Sequence, residues 1–150
     1  MKILLAACNA KYIHSNLAVY DLKAYASTYE DDILLKEYTI NQTKDEILKD
    51  IYSSRADIVC FSCYIWNISF IEELMEDLPK ILPETIFWAG GPEVSYDGVQ
   101  FLQKVPSMTG VMRGEGEKTF LELADYYIGG KGSLKEIPGI VYRENGGIRD

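Results

Sequence analysis

Short apolar runs alternate with amphipathic segments five times along this chain, and that alternation constrains its fold more than any other feature. The runs that begin at Ile3, Ile33 and Ile58 have the length of β-strands, and the third is apolar enough for a strand buried on both faces. Strands that alternate with helices form parallel sheets with right-handed crossovers. The sequence therefore predicts the α/β class, with a flavodoxin-like, doubly wound, five-stranded parallel sheet in the order 2-1-3-4-5.

The end of the chain departs from this pattern. The run Ile140–Arg143 is followed by Asn145 and Gly146, a dipeptide that favours the tight turn of a β-hairpin. We therefore expect one α/β domain over residues 1–130 and a C-terminal β-hairpin or linker over 131–150. The second arm of the hairpin is cut short, which suggests a fragment of a longer parent protein.

The composition disfavours several classes of partner. The 150 residues suit one domain, and the formal net charge of −8 opposes binding to nucleic acid or to anionic membranes. The N-terminus has neither the length of a membrane helix nor the layout of a signal peptide. We expect a cytoplasmic protein that binds neither nucleic acid nor a membrane.

The three cysteines lie in or beside apolar strands, which favours reduced thiols. Cys60 and Cys63 have the CxxC spacing, but a strand and its exit carry the pair, whereas a redox pair opens a helix. We expect Cys8 and Cys60 to pack in the core and Cys63 to lie at the rim of the sheet.

Polar, aromatic and glycine residues directly follow four of the predicted strands. In an open α/β sheet the carboxyl ends of the strands share one rim, where ligands bind. These segments, distant in sequence, would therefore line one binding site. Its candidate residues are Asn9, Tyr12 and His14 after the first strand; Ser62, Cys63, Tyr64 and Trp66 after the third; Gly90, Gly91, Pro92 and Glu93 after the fourth; and Gly114, Glu115 and Glu117 after the fifth.

Each segment also has a purely structural interpretation. Gly91 permits a close approach to a ligand, but a glycine equally fits a tight strand-to-helix turn. Tyr64 and Trp66 can form a flat wall for a planar ligand or pack beneath a loop. Glu115 and Glu117 would repel a pyrophosphate, and they can cap the last helix or accept hydrogen bonds from ligand amides.

Taken together, four segments resemble a known family. They are NAKYIHSNLAVYDLKAY, FSCYIWN, GGPEVSYD and RGEGEKTFLELA. In this order and spacing they are similar to the N-terminal cobalamin-binding domain of cobalamin-dependent radical S-adenosylmethionine enzymes, some labelled Fe-S oxidoreductases and others magnesium-protoporphyrin ester cyclase-like proteins. The resemblance covers about residues 1–143, and GGPE with RGEGE at consecutive strand ends is its most specific part.

The resemblance implies that the candidate residues bind cobalamin. The nucleotide tail of the cofactor would enter between the strand ends, and the corrin would lie over the rim. Classical cobalamin domains carry D-x-H-x-x-G, whose histidine binds cobalt. Here Tyr12 and Leu17 replace the aspartate and the glycine, so we expect His14, the only histidine, to make a hydrogen bond rather than to ligate cobalt.

The cluster motif CxxxCxxC of radical enzymes is absent from this sequence, so we expect no catalysis from the chain alone. The resemblance implies a parent enzyme with a radical S-adenosylmethionine domain after Asp150, which would use S-adenosylmethionine and a [4Fe-4S] cluster for methyl transfer or a related radical reaction. One alternative stays open: a degenerate flavodoxin-like domain that has lost its cofactor and serves as a protein-interaction module.

Overall fold

The computed structural model describes residues 1–10 and 16–150. Two of the candidate residues, Tyr12 and His14, lie outside the described residues. The elements in chain order are β1 (Ile3–Asn9), α1 (Leu17–Tyr25), β2 (Ile33–Thr39), α2 (Lys44–Ser54), β3 (Ile58–Ser62), α3 (Ile68–Ile81), β4 (Ile86–Gly90), α4 (Pro92–Ser95), α5 (Gly98–Lys104), β5 (Gly110–Met112), α6 (Glu117–Tyr127), β6 (Ile140–Glu144) and β7 (Gly147–Arg149). Short 3₁₀ helices span Ser27–Asp32 and Leu134–Glu136.

The described strands form one seven-stranded sheet in the order β2-β1-β3-β4-β5-β6-β7. The first five are parallel and have the predicted order, which confirms the flavodoxin-like topology. The predicted C-terminal hairpin is also present, but it joins the sheet, which therefore has seven strands rather than five: β6 pairs antiparallel with β5, and β7 with β6. The strand β5 has only three residues, and β6 covers the edge that it would otherwise expose.

The hairpin turn has the predicted chemistry. Asn145 and Gly146 have φ angles of 51° and 80°, the left-handed conformations that a two-residue turn between twisted strands requires. The pair Glu144 and Gly147 closes the turn.

Helices cover both faces of the sheet, and alternate residues along each strand point to opposite faces. Ile3, Leu5 and Cys60 pack with α1 and α6 on one face, whereas Leu4 and Phe61 pack with α2, α3, α4 and α5 on the other. All five residues of β3 are buried, as expected for the central strand.

The first helix begins at the rim of the sheet. Asn16 caps it by accepting a hydrogen bond from the Ala18 amide at 3.1 Å. Across the described residues, no helix combines the length and the apolar character needed to cross a bilayer.

Candidate functional site

A cavity of about 420 Å³ opens between the sheet and α1, at the carboxyl ends of the strands. Leu5, Cys60 and Met112 line it from β1, β3 and β5, and we call these three residues the cavity floor. Val19 and Leu22 line it from α1. The volume lies in the range of small-molecule binding sites, and the lining on these two sides is apolar.

Most candidate residues from three of the four segments meet at the mouth of this cavity. They are Ser62 at the end of β3 and Tyr64 after it; Gly90 at the end of β4, with Gly91 and Pro92 after it; and Gly114 and Glu115 before α6, with Glu117 at its start. A second cavity of about 430 Å³ lies beside the first and is lined by Asn9, Asn16 and Trp66. Tyr64 lines both cavities, so the sequence-predicted residues occupy two adjoining spaces at one rim.

Two candidate side chains point away from these spaces. The Cys63 side chain is fully buried on the opposite face of the sheet, so the expected rim position holds only for its backbone. Its amide donates to the Gly90 carbonyl at 2.7 Å, and burial raises the pKa of its thiol. Glu93 lines a separate groove with Glu72 and Tyr96 on that same opposite face.

Cys8 and Cys60 are both buried, as expected, but Cys60 also belongs to the cavity floor. Desolvation by burial raises the pKa of the Cys60 thiol to about 12. The thiol is therefore neutral near pH 7 and presents the cavity with a weak hydrogen-bonding group.

Glu37 ties the end of β1 to the start of α1. It accepts hydrogen bonds from Asn9 Nδ2 at 3.0 Å, from the Asn16 amide at 2.9 Å and from the Tyr20 hydroxyl at 2.7 Å. Burial favours the neutral carboxyl, but the three hydrogen bonds favour the carboxylate more strongly and hold the pKa of Glu37 below its usual value. Glu37 therefore presents a fixed charge beside the second cavity.

Two asparagines fix the segment that follows β3. The fully buried Asn67 donates from Nδ2 to the carbonyls of Cys8 at 3.0 Å and Ser62 at 2.9 Å. Its Oδ1 accepts from the Tyr64 amide at 2.8 Å. Asn16 Nδ2 donates to Ser62 Oγ at 3.1 Å. The fully bonded amide of Asn67 therefore holds the ends of β1 and β3 together, and Asn16 adds a bond from α1 to β3.

Ser95 joins the loops that follow β4 and β5. Its hydroxyl donates to the Gly91 carbonyl at 2.8 Å and accepts from the Gly114 amide at 3.1 Å. Gly91 has φ of 106°, and a Cβ there would lie 2.5 Å from the Cys63 carbonyl oxygen. Only glycine fits this position, which explains the second glycine of GGPE.

The rim above both cavities is apolar and exposed. Tyr64 and Trp66 stack with their ring centroids 4.5 Å apart and their planes 6° apart. Trp66 is 50% exposed, Ile65 77% and Leu17 73%. Large apolar side chains clustered in water indicate a surface that receives another molecule.

Sequence reasoning missed several residues of this site. Glu37 lies on β2, whose end carries no candidate residue, and Ser95 follows GGPE as an ordinary helix residue. Leu5, Leu22 and Met112 carry no chemical signal beyond their hydrophobicity. The contribution of Leu5 and Met112 depends on which strand face turns toward α1, and the alternation of buried residues gives that information once the strand order is known.

The family model described as B12 binding domain matches residues 3–124. The chain belongs to this family. It is 39% identical over 74 residues to the uncharacterized methyltransferase PH0819 of Pyrococcus horikoshii, and 29% identical over 87 residues to the cobalamin-dependent radical SAM methyltransferase TokK of Streptomyces tokunonensis. These alignments cover 49% and 58% of this chain but only 16% and 13% of the two relatives.

The fold matches that of the cobalamin-dependent S-adenosylmethionine radical enzyme OxsB in its structure with aqua-cobalamin bound. The TM-score is 0.79 at 21% identity, and the match covers 99% of this chain and 22% of OxsB. Family membership favours a cofactor-binding domain over the interaction module that the sequence left open. The chain spans less than a quarter of each of these relatives.

The residues of the first cavity fit the cofactor that the family name implies. Gly90 leaves space beside the floor, since a Cβ there would meet only Met112, at 3.5 Å. The apolar floor suits an aromatic base, and the carboxylates of Glu115 and Glu117 suit the amide groups that surround a corrin.

Proposed function

We propose that this B12-binding domain holds the nucleotide tail of cobalamin in the first cavity and the corrin over the rim, in the service of a parent radical S-adenosylmethionine methyltransferase. The observation that carries the proposal is the cavity itself. It combines an apolar floor with a mouth built by three separate loops at the carboxyl ends of the strands.

Glycine and serine residues shape the path into the cavity. Gly90 keeps a side chain out of the mouth between β4 and α1, and Gly91 lets its loop pass close to the Cys63 backbone. Ser95 holds the loop of Gly91 against that of Gly114. The two loops are therefore positioned before any ligand arrives, which lowers the entropy lost on binding.

The rim presents flat aromatic surface with polar groups around it. The stacked Tyr64 and Trp66 would contact the corrin, and Asn9 would lie at its edge near the second cavity. We also assign contacts with the cofactor at the rim to Tyr12 and His14, which lie outside the described residues. Glu115 and Glu117 would accept hydrogen bonds from corrin amides, whereas the side chains of Cys63 and Glu93 lie on the opposite face of the sheet.

Bound cobalamin supplies a cobalt ion that can carry a methyl group. The parent protein would use two further groups, S-adenosylmethionine and an iron-sulfur cluster. The names of TokK and PH0819 support methyl transfer in the parent, with S-adenosylmethionine and a [4Fe-4S] cluster held by a radical domain to which residues 131–150 lead. The net charge of −8 supports a protein without nucleic-acid or membrane partners, and the free, buried cysteines support a cytoplasmic location.

Titration of the purified chain with hydroxocobalamin and methylcobalamin, followed by visible absorbance, tests this function. Gly90→Val should weaken binding by about tenfold or more, because the added methyl groups occupy space beside the cavity floor. Gly147→Val makes the same change in β7, at the far edge of the sheet, and should bind like the unmodified chain. Unchanged affinity in a folded Gly90→Val variant would show that the tail does not enter this cavity.

A further inference from the structure

We infer that the first cavity selects corrinoids by their lower base and favours a benzimidazole over a purine. The inference rests on the proposed placement of the nucleotide tail in this cavity. It concerns a property that the placement alone does not require, namely which heterocycle the cavity accepts.

The inner part of the cavity offers almost no hydrogen-bonding groups. Leu5, Met112, Val19 and Leu22 have purely apolar or thioether side chains, and the Cys60 thiol is a weak donor. The strands that form the floor are paired on both sides, so their amides and carbonyls are used within the sheet.

The polar groups of the site are engaged or lie at its mouth. Ser62 lies at the mouth, where its Oγ accepts from Asn16, and Ser95 Oγ both donates and accepts within the loops. Glu115 and Glu117 stand at the start of α6, at the entrance rather than on the floor. A base that passes this entrance therefore meets apolar surface.

The two classes of base differ in what they would lose on entry. The carbocyclic ring of a dimethylbenzimidazole carries only hydrocarbon, so its burial is favourable. The six-membered ring of a purine such as adenine carries an amino group and two ring nitrogens, which would give up their water without gaining partners. We expect at least a roughly tenfold difference in affinity from this cost.

Binding titrations of the unmodified chain with three corrinoids test the inference: cobalamin, its analogue with an adenine lower base, and cobinamide, which lacks the nucleotide. We expect cobalamin to bind about tenfold or more tightly than the adenine analogue, and cobinamide to bind more weakly than cobalamin. Equal affinity for cobalamin and the adenine analogue, with weak cobinamide, would overturn the selectivity and leave the tail in the cavity. Cobinamide as tight as cobalamin would overturn the placement and the selectivity together.

A matched pair of variants locates the selectivity. Leu22→Gln adds an amide to the cavity wall on α1, where glutamine is well tolerated, and should reduce the ratio of the two affinities by about threefold or more. Leu121→Gln makes the same change at a partly buried position of α6 outside the cavity lining and should leave the ratio unchanged. An unchanged ratio in folded Leu22→Gln would contradict the role of the apolar wall.

Discussion

At the scale of single residues, Glu37 makes the stability of the rim depend on pH. Its folded pKa lies below the value of an unfolded glutamate, because its three hydrogen bonds outweigh the effect of burial. The stabilisation is therefore complete above the unfolded pKa, near 4.3, and is lost as the pH falls through the lower folded pKa. We expect Glu37→Gln to lower the free energy of unfolding by about 1 kcal/mol at pH 7 and by less at pH 4.

Urea unfolding of both proteins at the two pH values measures this difference. Glu84→Gln, at an exposed position before β4, removes the same charge without these partners and serves as the control. If Glu37→Gln lowered the free energy of unfolding equally at pH 7 and pH 4, the charged form of Glu37 would not be what stabilises the rim.

At the scale of secondary-structure elements, β6 belongs to the core of the sheet. Ile140, Val141 and Tyr142 are 6%, 0% and 4% exposed, and Arg143 donates to the carbonyls of Leu102 and Met108. Burial of each large apolar side chain contributes about 1.5–3 kcal/mol, which for several residues approaches the whole stability of a domain. We expect a chain shortened to residues 1–130 to unfold at much lower urea concentration and to bind a hydrophobic dye.

Removal of β7 alone provides the control for this truncation. Two of its three residues are exposed, so a chain of residues 1–146 should lose little stability. The domain boundary predicted at residue 130 would gain support if both shortened chains were as stable as the full chain.

The sequence predicts some elements of this fold better than others. The parallel order and the shared rim were predictable because strand length, helical periodicity and short connections are local properties of the chain. The docking of β6 on β5 is a contact between distant segments, which local patterns do not encode. The orientation of the Cys63 side chain could have been predicted, because side chains alternate between the two faces of a sheet along each strand. Cys63 therefore lies on the face of Phe61, opposite to that of Cys60.

At the scale of the whole molecule, the proposed cobalamin site stands apart from any iron-sulfur site, because the described residues offer no set of ligands for a cluster. The described residues contain no group of three His, Cys, Asp or Glu side chains that could hold a metal ion. Cys8, Cys60 and Cys63 are each at most 4% exposed, and desolvation raises the pKa of all three thiols. Cluster assembly needs accessible thiolates, which these cysteines do not supply.

We therefore expect this chain to bind cobalamin but to retain no stoichiometric [4Fe-4S] cluster after anaerobic reconstitution with iron and sulfide. Iron and sulfide analysis after gel filtration gives the measurement, and a cobalamin titration of the same sample shows that the domain is still folded. Four irons per chain in a stable, cobalamin-competent sample would contradict this division of roles.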